Sequence, residues 1–226
     1  MFVGIKTYKR LDALKALIKS IREYEKDVMI YVLNDDPTCK IGNEFKDWGI
    51  NFYGVNVENK GSNWCNNQLM KEFIRLTDKY NYLTDFLLLD DDTLCTGPFV
   101  DLIDAEEAPH LYIPNKGAKH QMPWGYAFTG TKDLLDKIGG FDLDRFSTYG
   151  LAHVDWTWRA EEAGLAKAVQ LPFKLNPAAG RSQANKAEYI KNKEKYMKRL
   201  LDRESEREIP KLFPRRIVLQ EKINDK

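Results

Sequence analysis

Residues 85–92 read DFLLLDDD. Phe86, Leu87, Leu88 and Leu89 form a strand-length apolar run that belongs in a core, and Asp90, Asp91 and Asp92 follow it directly. Such a run puts acid at the carboxyl end of a strand, where an open parallel sheet binds its ligands. Like charges this close raise one another's pKa unless a cation relieves them. A hard divalent ion with oxygen ligands is the natural relief. The plainer alternative is an Asp-rich turn or helix cap.

Strand-length runs and helical spacings alternate on either side. Phe2–Tyr8 reads as a strand, and Leu11, Leu14, Leu17, Ile18 and Ile21 repeat at helical spacing up to Tyr24. Val28–Leu33 is a second strand, Asn43–Trp48 a short helix, Ile50–Val55 a third strand, Asn63–Tyr80 a long helix and Asp85–Leu89 a fourth strand. The order β-α-β-α-β-α-β predicts an α/β fold with a mainly parallel, doubly wound sheet and helices on both faces. The second half is less regular. Strands are expected at His110–Pro114 and Trp124–Thr129, and helices at Lys132–Ile138, Asp155–Ala163 and Ala187–Arg203. The expected division is a domain over residues 1–185, with a regular half at 1–95 and a less regular half at 96–185. A basic helical extension at 186–226 would pack on it.

The chain has 226 residues, enough for a substantial core, and no apolar run near the roughly 20 residues that span a bilayer. Its start, MFVGIKTYKR, reads as a strand and not as a signal peptide. Cys39, Cys65 and Cys95 are too few and too scattered for a disulfide framework, so a reducing, cytoplasmic setting is expected. The net charge of +1 excludes a global nucleic-acid footprint. Residues 186–226 carry 13 basic and 8 acidic side chains. A solvated helical tail is the simpler reading, and peripheral contact with an anionic membrane or an acidic partner is the sharper one.

Three polar clusters follow expected strands: Thr7-Tyr8-Lys9-Arg10, Asn34-Asp35-Asp36 and Asp90-Asp91-Asp92. With these in view, the sequence resembles the GT-A glycosyltransferases, particularly the large family 2 group of nucleotide-sugar enzymes. Ile5–Leu11 is similar to that family's first strand and its T-Y-N-R turn. Val32-Leu33-Asn34-Asp35-Asp36 is similar to V-V-D-D-G-S, and Asn59-Lys60-Gly61 followed by Asn67 to the N-x-G…N segment. Leu89–Asp92 matches the D-x-D element, Lys137–Asp142 matches I-G-G-F-D/E, and Gly150–Arg159 resembles G-x-E-D-x-D-W-x-x-R. Each motif is weak alone, but six in order over residues 2–164 are specific together.

The resemblance implies a fold, a reaction and roles. Asp92, assisted by Asp90, would hold Mn²⁺ or Mg²⁺ on the diphosphate of a nucleotide-sugar donor, a UDP sugar by expectation. Asp35 or Asp36 would accept a hydrogen bond from the base. Thr7, Tyr8, Arg10, Asn59, Gly61, Asn67 and Asp91 would line the donor pocket. Trp124 and Gly125 would meet the transferred sugar or the acceptor, which is a glycan, a lipid-linked sugar or a protein. A base would deprotonate the acceptor hydroxyl for direct displacement, with inversion. In register with Asp155-Trp156-x-x-Arg159, the family's E-D pair falls on Ala152 and His153. His153 is then a base or a metal ligand, and Asp155 is the other candidate base, slightly preferred because the family's chemistry rests on a carboxylate. The departure also admits a catalytically inactive nucleotide-sugar-binding protein or a retaining enzyme. A nucleotidyltransferase is disfavoured, because the turn Thr7–Arg10 has no glycine. Arg181 and Ser182 read equally as donor contacts or as a plain loop. His110, His120 and the cysteines receive no role.

Overall fold

The computed structural model describes residues 1–39, 43–114, 123–146, 151–179 and Lys198. The expected helix Ala187–Arg203, His120, Arg181 and Ser182 lie outside those residues, Lys198 apart. In chain order the elements are β1 (Phe2–Thr7), α1 (Leu11–Tyr24), β2 (Met29–Asn34), a 3-10 turn (Asn43–Lys46), β3 (Phe52–Val55), α2 (Ser62–Thr77), β4 (Asp85–Asp90) and β5 (Thr93–Cys95). Then come α3 (Val100–Ala105), β6 (His110–Pro114), β7 (Pro123–Thr131), α4 (Lys132–Ile138), α5 (Ala152–Glu162), β8 (Ala166–Ala168), β9 (Phe173–Leu175) and a second 3-10 turn (Pro177–Ala179).

Seven strands form one sheet in the order β3-β2-β1-β4-β7-β6-β8, and β5 and β9 pair separately. β1 pairs in parallel with β2 and β4, β2 with β3, and β6 with β8; β7 is antiparallel to β4 and β6. This is the mainly parallel α/β sheet that the sequence predicts.

Alternation along the central strands sorts the core onto two faces. Phe2, Phe86 and Leu88 point to the side of α2, α4 and α5, against Leu69, Phe73, Leu134 and Trp156. Val3, Ile5, Leu87 and Leu89 point to the other side, against Leu14, Leu17, Ile18 and Ile21 of α1 and Ile103 of α3. The sequence reading omits β5, α3, β8 and β9. Each is three to six residues long, too short to show a period. Helix α3 depends on a remote residue: Glu25 Oε1 accepts hydrogen bonds from the N–H groups of Phe99 (2.7 Å) and Val100 (3.0 Å) at its start.

His110 joins three elements of the second half. It is fully buried, with Nδ1 2.7 Å from the Thr129 carbonyl oxygen and Nε2 3.0 Å from Thr157 Oγ1. A carbonyl only accepts, so Nδ1 carries the proton and Nε2 accepts from the Thr157 hydroxyl. The Trp156 ring packs edge-on at 4.6 Å. Burial lowers the His110 pKa to about 4, from 6.5. The folded value lies below the unfolded one, so the stabilisation from the neutral ring is complete above about pH 6.5 and is lost as pH falls toward 4. Denaturant melts should show stability falling over that window by about 1 kcal/mol per pH unit. A His110→Gln variant should show a flatter profile there, and an unchanged slope would contradict this account.

Candidate functional site

The strand order reverses between β1 and β4. From β1 the chain winds outward to β2 and β3, and β4 then returns to the other side of β1. At such a switch point the crevice opens beyond the carboxyl ends of the two strands. Here those ends carry Thr7 and Asp90–Asp92. The three polar clusters read from the sequence meet at this rim.

The aspartates are held by side chains of β1 and of the turn after it. Lys6 and Asp90 are register partners on adjacent strands, and their side chains form an ion pair. Thr7 Oγ1 donates to Asp91 Oδ2 at 2.7 Å. Arg10 spans two carboxylates, with Nη1 2.8 Å from Asp92 Oδ2 and Nη2 paired to Asp91 Oδ1. Asp92 Oδ1 is buried and accepts no hydrogen bond among the described residues. Burial pushes the Asp91 pKa up to about 6, against the pull of Arg10 and Thr7. Burial and then the neighbouring Asp90 raise that of Asp92. Burial opposes the charge on Arg10, yet Asp91 and Asp92 hold its pKa above the ordinary value.

The second cluster is divided in use. Asp35 Oδ1 accepts from Asn56 Nδ2 (2.6 Å) and the Lys60 N–H (2.9 Å), and Oδ2 accepts from the Gly61 N–H (2.7 Å). Gly61 sits at φ +86, a left-handed conformation that glycine adopts without strain. Asn59 Oδ1 lies 3.1 Å from the same N–H. Asp35 is thus committed to the loop between β3 and α2. Asp36 Oδ1 accepts from the Thr38 N–H and hydroxyl, which lower its pKa, the hydroxyl most. Tyr8 is half-buried, with the Lys9 ammonium 5.0 Å from its ring centre.

Reversed strand β7 brings the second half to the same rim. Its ladder with β4 ends at Leu89–Ala127, and Gly125 lies two residues further, on the side where Asp91 leaves the sheet. Thr93 Oγ1 donates to the Tyr126 carbonyl at 3.4 Å. A Cβ on Gly125 would sit 2.9–3.0 Å from three atoms of the His153 ring, so only glycine lets the imidazole lie against the strand. Trp124 is partly exposed and packs on Tyr126 at 5.5 Å.

Two expected site residues have internal partners instead. Helix α5 begins at Ala152, earlier than the sequence reading, so Asp155 falls inside it. Asp155 has no solvent exposure and accepts from Arg159 Nε at 3.0 Å. Arg159 also donates to the carbonyls of Ile138 and Gly140, the latter at 2.8 Å, and Trp156 Nε1 donates to that of Gly139 at 2.8 Å. Asn67 closes a two-bond ring with the backbone of Phe141, donating at 2.9 Å and accepting at 2.7 Å. Asn63 holds the Phe146 carbonyl at 2.9 Å. Asp155 and Asn67 therefore help to clamp segment 138–146. Lys6 was not singled out from the sequence, although it is the one charge in the strand FVGIKT. The thiol of Cys65 is buried and its pKa is pushed up to about 12, which leaves it unreactive.

No family model matches the sequence, and no curated protein matches it. Solved structures do match its fold. Glucosyl-3-phosphoglycerate synthase from Mycobacterium tuberculosis, solved with Mn²⁺, UDP and glucosyl-3-phosphoglycerate, superposes with a TM-score of 0.62 at 12% identity, covering 89% of this chain and 78% of that one. The fold is GT-A-like. S. aureus TarS gives a TM-score of 0.57 at 14% identity over 76% of this chain. This chain spans 36% of the TarS chain and 59% of its 1–349 fragment. A Bacillus anthracis protein described as a glucose-1-phosphate thymidylyltransferase gives 0.51 at 8% identity, covering 83% of this chain and 93% of that one. The GT-A-like sheet thus occurs both in a protein named a glucosyl-3-phosphoglycerate synthase and in one described as a thymidylyltransferase.

The Asn67 clamp makes a separable prediction. Asn67→Ala leaves both polar groups of Phe141 unpaired in a buried setting, which costs about 2–4 kcal/mol. Chemical denaturation should show that loss, and unchanged stability would contradict the clamp.

Proposed function

We propose that this chain is a metal-dependent glycosyltransferase that moves a sugar from a nucleotide-sugar donor, a UDP sugar, to a hydroxyl of a glycan, lipid-linked or protein acceptor, with inversion. The observation that carries the reading is the set of three carboxylates at the β1/β4 switch point, on the rim to which β7 brings Gly125 with the His153 ring against it.

The residues present fit a hard divalent ion. The donor set is all oxygen, and Asp92 Oδ1 is a buried acceptor with no donor among the described residues. Among the described residues no three acidic, His or Cys side chains converge as a complete cage. Mg²⁺ and Mn²⁺ are commonly held by one or two carboxylates and completed by substrate phosphate oxygens. Asp92 and Asp90 would hold the ion, which when bound offsets charge on the departing nucleotide diphosphate.

The chain's own groups supply the rest. Asp36 stands beside Asp35, whose oxygens already serve the loop, and accepts from the base in its place. Tyr8 packs at the same mouth. Trp124 offers a flat apolar face to a sugar ring. His153 takes the acceptor hydroxyl proton on an imidazole nitrogen, in the role for which Asp155 is too deeply enclosed. A binding-only protein is the second reading, favoured by the absence of a carboxylate at positions 152 and 153.

The test is a thermal-shift panel of UDP and GDP sugars, with and without Mn²⁺, followed by anomeric analysis of any product. One donor should raise the melting temperature only with metal present, by mass action. Asp92→Ala should abolish both that shift and transfer while remaining folded. His153→Ala should keep the shift and lose transfer by about 10²-fold or more. A metal-dependent shift without turnover in the parent would select the binding-only reading. No shift with any donor would sink both.

A further inference from the structure

Lys6 and Arg10 already occupy carboxylates that a divalent ion would use. Three formal negative charges meet two positive ones, so the cluster is close to neutral before any metal arrives. Arg10 holds the decisive position, because its two terminal nitrogens bridge Asp91 and Asp92. Asp92 is shared: Oδ2 is paired with Arg10, and Oδ1 is the buried atom without a donor.

We propose that Arg10 is the resident counter-ion of the aspartate cluster, competing with the divalent ion for Asp91 and Asp92 and yielding only when a nucleotide diphosphate arrives to receive its guanidinium. This inference rests on the metal-dependent reading above. Asp91 is 1% exposed, and a carboxylate at that depth needs a partner. Arginine does not deprotonate in proteins, so room for an ion is made by moving the side chain and not by titrating it. A displaced guanidinium at an acidic rim needs a new anion. A diphosphate suits its planar fork as well as a carboxylate does, and it also supplies oxygens to the metal. One ligand therefore satisfies both cations, and metal and nucleotide must strengthen each other's binding by the same factor. The backbone favours a side-chain swing. Arg10 is fixed as the N-cap residue of α1, its carbonyl accepting from the Leu14 N–H at 3.0 Å.

The experiment is calorimetric titration of Mn²⁺ into the parent, Arg10→Gln and Arg10→Lys, each with and without UDP. The parent should bind Mn²⁺ weakly alone and at least about tenfold more tightly with UDP. Arg10→Gln should bind Mn²⁺ alone at least about tenfold more tightly than the parent, with a smaller gain from UDP. Arg10→Lys, a point charge without a fork, should fall between. Metal-free Arg10→Gln should melt lower than the parent and regain more on adding Mn²⁺. A variant that folds only in Mn²⁺ gives the same result at its limit. If Arg10→Gln does not fold even then, Arg10→Lys decides. Parent-like or weaker Mn²⁺ affinity in the folded variants overturns the counter-ion role and leaves metal dependence standing. No Mn²⁺ binding by any form, with or without UDP, overturns the metal reading and this one together.

Discussion

Three carboxylates on consecutive residues can sit at the end of a buried strand only if cations and donors meet them there. Lys6, Thr7 and Arg10 do so, and all three come from one short stretch of chain. The arrangement requires β1 and β4 to be parallel neighbours in the register that sets Lys6 beside Asp90. It also requires α1 to start just after the turn, so that Arg10 reaches back across the crevice. Strand order, register and helix start are thus tied to one electrostatic constraint.

The second half is held differently. Its segment 138–146 has little regular structure after α4, and polar side chains fix its backbone. Asn63 and Asn67 reach it from α2, and Trp156 and Arg159 from α5. Carbonyls in irregular chain still need donors, and a buried guanidinium or amide supplies several at once. Asp155 belongs to this system, because a guanidinium as buried as that of Arg159 needs a carboxylate beside it. Motif residues that look catalytic by type are here part of the frame that holds segment 138–146.

The sheet itself is shared with proteins named for different transfer chemistries, so the fold does not choose the reaction. The choice lies in what the rim carries: carboxylates with a buried oxygen lacking a donor, an imidazole against a glycine on the reversed strand, and an exposed indole beside it.

Much of this was legible in the sequence. Apolar runs of strand length and helical repeats in α1 and α2 fixed the parallel half, because alternation and 3.6-residue spacing are local properties of the chain. The run FLLLDDD placed the acidic rim, since an apolar strand has to end where its charges begin. The short elements β5, α3, β8 and β9 were not legible, because their stability comes from partners far along the chain, as Glu25 does for α3. Nor did residue type separate Asp155 from His153, or Asp35 from Asp36. All four lie in motifs of the right character, and only packing showed that Asp155 serves Arg159 and that Asp35 serves the loop before α2. Local pattern thus determined the fold class and the rim. Tertiary structure decided what the polar groups hold, because that depends largely on contacts between residues far apart in the chain, as Asp35 with Gly61 and Thr7 with Asp91.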